Sequence, residues 1–456
     1  MTAEKIYDLA ILGAGSGGYA AALRAGQLGL ETALIEADKV GGTCLHRGCI
    51  PAKALLHTGE VADEVRQSAA VGVQSQFLGI DMAEVNAYKN SVISQMHKGL
   101  QGLLHSRKVD VIAGRGKLAD PHTIALADRN ITARNIVVAT GSYPRTLGQK
   151  ITKRVLTSTE ALELKEVPES VIVLGGGVIG VEFASLWASY GAKVSIIEGL
   201  EHLVPNEDVE ISRALERAFR KRGIDFYLNT LFAEVLENED GVRVRTQDGQ
   251  EFSAAYLLIA IGRAPATDDI GCTELGLKRE KGFLCTDERL ATNIENIYAV
   301  GDVVPGLQLA HRGFLHGVFV AEEIAGLNPR PLREQNIPRV TFSNPEIASV
   351  GMSEEEAKTK YGAENIETAR FNLAGNGKSR ILGSEGFIKL VREKSGPILG
   401  FHALGKRIGE QIGEGELLVG WEAYPEDFAD LIHAHPTQNE AIGEAIAALA
   451  GKPLHG

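Results

Sequence analysis

The feature that most constrains this chain is a repeat. Residues 6–18 read IYDLAILGAGSGG, an apolar run followed by Gly13, Gly15 and Gly18 in G-x-G-x-x-G spacing. Residues 171–180 read VIVLGGGVIG and set Gly175, Gly177 and Gly180 in the same spacing. Each loop opens a stretch of helical character, YAAALRAGQLG or VEFASLWASYG, that ends at Gly29 or Gly191. A second strand follows, ETALIE or KVSIIE, and ends on an acid, Glu36 or Glu198, 23 residues beyond the first glycine in both copies. A lone glycine triplet is a weak signal. Two complete strand-loop-helix-strand-acid units at matching offsets predict two dinucleotide sites.

The residue types follow from the chemistry. The first glycine permits a tight turn, the second lets backbone approach a pyrophosphate, and the third lets helix and strand pack closely. Phosphates then meet the free N–H groups and positive dipole end of a helix. The terminal acid accepts hydrogen bonds from ribose hydroxyls. Glu198 would repel a 2'-phosphate, and the following GLEHLVPNED offers no arginine to welcome one, so NAD is expected over NADP at the second site.

Each unit closes on a further strand and glycine, IVVATG at 136–141 and LLIAIG at 257–262, and ENIYAVGD at 295–302 lies beyond the second unit. The order predicts an α/β fold of two Rossmann-like domains, the second inserted into the first. Residues 1–145 and 269–335 form one, 146–268 the other, and 336–456 a C-terminal α+β domain. A stretch of helical periodicity at about 53–105 interrupts the first. The length, 456 residues, also exceeds what one core serves.

Composition narrows the setting. No apolar run reaches the roughly 18 residues that span a bilayer, and the start, Met1 to Tyr7, lacks the basic region and cleavage site of a secretory signal. A formal net charge of -12 argues against nucleic-acid binding. Four cysteines are too few for a secreted disulfide scaffold. A soluble cytoplasmic protein is expected, with no membrane or nucleic-acid partner.

Directly after the first unit comes VGGTCLHRGCIPAKALLH, with Cys44 and Cys49 separated by four residues. The spacing is not C-x-x-C, and no second pair is placed to complete a zinc site, so no metal is expected. Taken alone the pair could be structural or redox-active. Its place beyond a dinucleotide unit favours redox work, and cysteines near a helix start are biased towards thiolate. Near the C-terminus, LIHAHPTQNEA holds His433, His435 and Glu440. A histidine-carboxylate pair suits thiol deprotonation near neutral pH, although in isolation such pairs are more often structural.

The run GGTCLHRGCIPAKALLH, the two glycine motifs, ATG at 139–141, GD at 301–302 and HAHPTQNEA together resemble the class I pyridine nucleotide-disulfide oxidoreductases over nearly the whole chain. The resemblance implies tightly bound FAD in the first site and NAD+ in the second. Gly13, Gly15, Gly18 and Glu36 would hold the FAD adenosine and pyrophosphate, and Asp302 the ribityl chain. Lys53 would lie near the flavin ring, paired with Glu182. Gly175, Gly177, Gly180 and Glu198 would hold NAD+, and Thr140, Gly141, Gly262, Arg263 and Ala310 complete the expected cofactor contacts. Cys44 would exchange with substrate and Cys49 face the flavin. His435, oriented by Glu440, would be the base, with His433 structural. The C-terminal domain would make an obligate homodimer in which this histidine reaches the other subunit's disulfide.

Within the family, Glu198, the presence of both cysteines, a C-terminus AALAGKPLHG without vicinal cysteines, and the runs HAHPT and NLAGNGKSRILGSEGFIKL favour members that reoxidise protein-bound dihydrolipoyl groups. No lipoyl domain precedes residue 6, so that group is expected in trans. The implied partners are the acyltransferase of a 2-oxo acid dehydrogenase complex or the glycine-cleavage carrier. An NADPH-dependent reductase of another small disulfide and a non-catalytic flavoprotein subunit are the alternatives. Two departures stand out: His46-Arg47 where the family usually has Asn-Val, and His316 where it usually has glutamate.

Overall fold

In the computed structural model, described over residues 5–455, β1 (Ile6–Leu12) lies within the parallel part of a seven-stranded mixed sheet. Leu9, Ala10 and Ile11 are fully buried, as a strand covered on both faces requires. Met1–Glu4, part of the mixed-charge start, and Gly456 lie outside the described residues. β1 pairs in parallel with β2 (Thr32–Glu36) on one side and with the strand Asn130–Val138 on the other. β3 (Asp110–Ala113) lies outside β2. The late strand Ile297–Ala299 pairs in parallel with Asn130–Val138, so the chain returns to the first sheet after building the second unit.

Helix α1 (Ser16–Gln27) crosses the helix Ala310–Ile324 at backbone contact. A Cβ on Gly317 would fall 2.2 Å from the Gly17 carbonyl oxygen. Only glycine allows that approach, and it brings the start of the late helix beside the first glycine loop.

The second unit is a five-stranded parallel sheet in the order Asp225–Tyr227, Lys193–Ile197, Ser170–Leu174, Tyr256–Ile259, Val155–Leu156. A three-stranded antiparallel sheet (Phe232–Glu237, Val242–Thr246, Glu251–Ala254) packs Val242 and Val244 against Ile172, Leu174 and Ile197. The two units join through an antiparallel ribbon of Ser142–Pro144 with Arg263–Pro265.

The helical stretch expected at about 53–105 divides into two. α2 (Gly42–Arg47) and α3 (Cys49–Gln67) precede a break, and α4 (Met82–Ser106) follows it. The break coincides with Gly72 and Gly79, whose φ values of 83° and 135° no helix accepts. Asp81 then caps α4 by accepting the N–H groups of Ala83 and Glu84. From residue 339 a five-stranded antiparallel sheet carries helices Ile412–Gly420 and Glu440–Leu449 over a separate apolar core. Buried Lys389 in this sheet meets Asp208 and Glu210 of the second unit and Glu354 of its own, which ties the two bodies together. Among the described residues, no helix is long and apolar enough to cross a membrane.

Candidate active site

The two glycine loops share one geometry. Gly13 has φ 101°, and a Cβ there would lie 2.4 Å from the Ala139 carbonyl oxygen. Gly175 has φ 105° and the corresponding contact at 2.5 Å with Ala260. A Cβ on Gly18 or Gly180 would strike the carbonyl oxygen of Gly13 or Gly175 at 1.8 or 1.9 Å. The middle glycines differ: beside Gly15 and Gly177 there is open space. Each is the N-cap of its helix and donates no side-chain cap, so the first N–H groups remain for a ligand. Both cradles therefore fit a pyrophosphate.

The acids are locked from behind. Glu36 accepts the N–H groups of Ala14 (2.7 Å) and Asp38 (2.9 Å). Glu198 accepts those of Gly176 (2.5 Å) and Leu200 (2.8 Å). Spacing from the glycines set the two acids at the ends of their strands but gave no sign that they brace the loop itself. Burial pushes the Glu36 carboxyl above its ordinary range, opposed by backbone N–H groups, that of Ala14 first among them. A cavity of about 410 Å³ opens beside Glu36, lined among others by Asp38, Lys39, Val40, His97 and Gln101. It fits an adenosine.

α2 carries Cys44, and Cys49 is the first residue of α3, where the N-terminal N–H groups favour a thiolate. The Cys44 thiol hydrogen-bonds to Cys49 and pulls the Cys49 thiol below its ordinary value; burial opposes this and the Lys53 ammonium assists. Cys44 moves upward for the same reason, because it keeps the shared proton. Cys272 is buried, and burial raises its thiol to about 11.

One turn on from Cys49, Lys53 Nζ meets both carboxylate oxygens of Glu182 at 2.9 Å. Glu182 also accepts the Phe342 N–H at 2.9 Å, and the Phe342 ring lies 4.7 Å from Lys53 Nζ. Lys53 and Glu182 are thus brought together across 129 residues. Phe342 had no sequence signal.

Where the two units join, Ser142 forms a relay. Its hydroxyl donates to Asp302 at 2.5 Å and accepts from Arg263 Nε at 2.7 Å. Thr140 donates to the Ala266 carbonyl at 2.6 Å, and the carbonyls of Gly141 and Gly262 accept the N–H groups of Ala266 and Arg145. Ser142 directly follows the ATG run, and that adjacency was the signal available for it. Ala310 begins its helix, with no side-chain cap at Leu309.

His435 belongs to the C-terminal domain. Its side chain is 80% exposed, and Nδ1 lies 2.8 Å from Glu440 Oε1. Glu440 also accepts the Thr437 N–H, the larger cause that holds its carboxyl below the ordinary range. This arrangement leaves Nε2 directed to solvent as an acceptor. His433, two residues earlier, instead meets Glu414 at 2.7 Å, and that contact raises its imidazole. His316 is buried, accepts the Gly301 N–H at 3.3 Å, and sits 3.6 Å from Glu334, which also pairs with the buried Arg312.

Two dinucleotide cradles in one chain, with a cysteine pair beside the first, define a flavin- and nicotinamide-linked disulfide oxidoreductase. Residues 7–317 match the pyridine nucleotide-disulphide oxidoreductase family, and residues 337–446 match the dimerisation domain of that family. The chain belongs to this family, and is an FAD- and NAD-dependent enzyme. It is 39% identical to a dihydrolipoyl dehydrogenase of Bacillus subtilis, over 98% of this chain and 99% of the relative. Its fold matches that of LpdA from Mycobacterium tuberculosis with a TM-score of 0.90 at 28% identity, over 97% of this chain and 99% of the other. The HOCl-induced flavoprotein disulfide reductase RclA from Escherichia coli aligns with a TM-score of 0.87 at 29% identity, over 97% and 99%.

Proposed function

We propose that the chain is a dihydrolipoyl dehydrogenase: it reoxidises a dihydrolipoyl group carried by a partner protein and delivers the electrons to NAD+. The observation that carries this reading is the cysteine pair itself, placed between the first glycine loop and the Lys53–Glu182 pair, in a chain similar along its whole length to enzymes of that name. Glu198, held rigid by two backbone N–H groups, favours ribose hydroxyls over a 2'-phosphate and supports NAD+ as acceptor.

The roles of the residues follow from their chemistry. Gly13, Gly15, Gly18 and Glu36 hold the FAD pyrophosphate and adenosine, Asp302 with Ser142 and Arg263 the ribityl region, and Thr140, Gly141 and Ala310 lie along it. Gly175, Gly177, Gly180, Glu198 and Gly262 hold NAD+. In the first cradle FAD would supply a two-electron acceptor that links the enzyme dithiol to NAD+. The protein does the rest. His435 Nε2 takes the proton of one substrate thiol, while Glu440 fixes the tautomer through Nδ1. The substrate thiolate attacks Cys44 Sγ, the Cys44–Cys49 bond breaks, and Cys49 leaves as a thiolate stabilised by the helix start and Lys53. The second substrate thiol then attacks the mixed disulfide, releasing a cyclic disulfide and leaving Cys44 as a thiol.

His435 is exposed on the C-terminal domain, which suits a base that works at the cysteines of a second copy in a homodimer. The lipoyl group then arrives on the acyltransferase of a 2-oxo acid dehydrogenase complex or on the glycine-cleavage carrier. The domain limits 1–145 and 269–335 for FAD, 146–268 for NAD+ and 336–456 for dimerisation complete the reading.

The test is a pair of assays on purified protein: NAD+ reduction by free dihydrolipoamide, and NADPH oxidation by glutathione disulfide. Activity in the first alone is expected. Activity in the second alone would make the chain a reductase of another disulfide, and activity in neither would fit a non-catalytic flavoprotein.

A further inference from the structure

We propose that His46 and Arg47 are positioning residues that tether the helix between the two cysteines to the loop carrying Glu36, and so hold Cys44 where it closes a disulfide with Cys49. This rests on the reading of Cys44 and Cys49 as a redox pair.

α2 is poorly held by its own chemistry. Its six residues are too few for a helix to be stable alone. Gly41 and Gly42 enter it with φ values of 106° and 58°, Gly48 separates it from α3, and no side chain caps it. Leu45 is the one side chain of α2 that is buried. Cys49, in contrast, begins a helix of 19 residues packed against α4 and the second unit. Cys44 is therefore the half of the pair whose position needs outside support.

Two contacts supply it. His46 Nε2 lies 2.9 Å from the Val40 carbonyl oxygen and so donates to it, while its ring meets His97 of α4 edge-on, centroids 4.9 Å apart. Arg47 forms an ion pair with Asp38. Asp38 and Val40 belong to the loop that follows Glu36, and the Asp38 N–H is one of the two that lock the Glu36 carboxylate. The other belongs to Ala14, in the first glycine loop. A path of hydrogen bonds and one ion pair thus runs from glycine loop to Glu36 to Asp38 to Arg47, and ends between the cysteines. Asp38, Val40 and His97 also line the cavity beside Glu36, so the nucleotide pocket and the disulfide form one mechanical unit.

How readily two thiols close a disulfide depends on how often they meet. Releasing α2 spreads Cys44 over more positions and shifts the balance towards the dithiol.

The experiment equilibrates the holoenzyme with mixtures of reduced and oxidised dithiothreitol. The enzyme dithiol gives two electrons and two protons to oxidised dithiothreitol, forming the Cys44–Cys49 bond and reduced dithiothreitol. Acid quenching, alkylation and mass spectrometry then count the free thiols at Cys44 and Cys49. Arg47→Val and Asp38→Asn should each lower the equilibrium constant for disulfide formation by about two- to fivefold, the factor that an exposed ion pair is worth. The double variant should fall no further than either single one, Arg47→Lys should recover most of the loss, and His46→Asn should shift in the same direction. Should Arg47→Val fail to fold, Asp38→Asn compared with Arg47→Lys makes the same test. Constants equal to wild type in all variants, or full additivity of Arg47→Val with Asp38→Asn, would overturn the tether. A wild-type enzyme that forms no Cys44–Cys49 bond in any mixture would remove the redox reading together with it.

Discussion

Lys53 and Glu182 pair across the two dinucleotide units, and their exposures differ: 34% for the lysine side chain and 7% for the glutamate. The asymmetry predicts unequal consequences. Lys53→Ala strands a buried carboxylate whose remaining partner is the Phe342 N–H. Breaking a buried pair leaves an uncompensated charge worth 3–5 kcal/mol, and the partial exposure of Lys53 and the surviving hydrogen bond reduce this to about 2–3 kcal/mol. Glu182→Gln keeps an acceptor for Phe342 and leaves only an ammonium that water already reaches, so it should cost about 1 kcal/mol. Removing both charges should return the loss to near the level of Glu182→Gln, a coupling of about 2–3 kcal/mol. Urea unfolding at pH 7 measures this, followed by flavin fluorescence and far-UV circular dichroism together, since a chain of several domains need not unfold in one step. The reasoning is refuted if Lys53→Ala lies within about 0.5 kcal/mol of wild type, the usual range for surface changes. It is refuted equally if Glu182→Gln is the more damaging change.

Three further outcomes follow from the site. Because Cys44 is the main cause of the lowered Cys49 thiol, Cys44→Ala should move the pH profile of Cys49 alkylation upward, while Cys44→Ser, which keeps a donor, should move it less; an unchanged profile in Cys44→Ala would exclude that hydrogen bond as the cause. Burial raises the Glu346 carboxyl to about 6, so the folded state loses stability as pH rises from about 4.5 through 6. Glu346→Gln should therefore stabilise the protein by about 1–2 kcal/mol at pH 7.5 and not at pH 4.5, read from urea midpoints at the two pH values. His435→Gln should lower dihydrolipoamide turnover by about 10²–10⁴-fold, the usual share of a general base, with flavin content unchanged; near-normal turnover would remove His435 from the mechanism.

Much of the fold could be read from local pattern. The glycine loops, the alternation of strand and helix and the acids at fixed offsets are features of contiguous sequence, and the sheets pair the strands they implied. The return of the strand at 297–299 to the first sheet also followed from position alone. What was not legible depends on contacts between distant residues. Phe342 joins Lys53 and Glu182 from a third part of the chain, and Ser142 joins Asp302 and Arg263 across separations of 160 and 121 residues. No periodicity encodes such meetings. His433 and His435 show the same limit at short range: two residues apart, one turns inward to Glu414 and the other outward beside Glu440. Which way each points is settled by the packing of the helices Ile412–Gly420 and Glu440–Leu449, not by the HAHPT run. The break between α3 and α4 falls in between, since Gly72 and Gly79 were visible but their positive φ values were not.

Whether electrons enter through Cys44 and Cys49 is read by counting thiols. Oxidised holoenzyme is mixed anaerobically with one equivalent of dihydrolipoamide in the absence of NAD+, quenched in acid, alkylated and mapped by mass spectrometry. New free thiols are expected at Cys44 and Cys49 together, with Cys272 and Cys285 labelled as before and the label lost again on adding NAD+. Unchanged labelling at Cys44 and Cys49, in enzyme that still reduces NAD+ with dihydrolipoamide, would contradict entry through this pair.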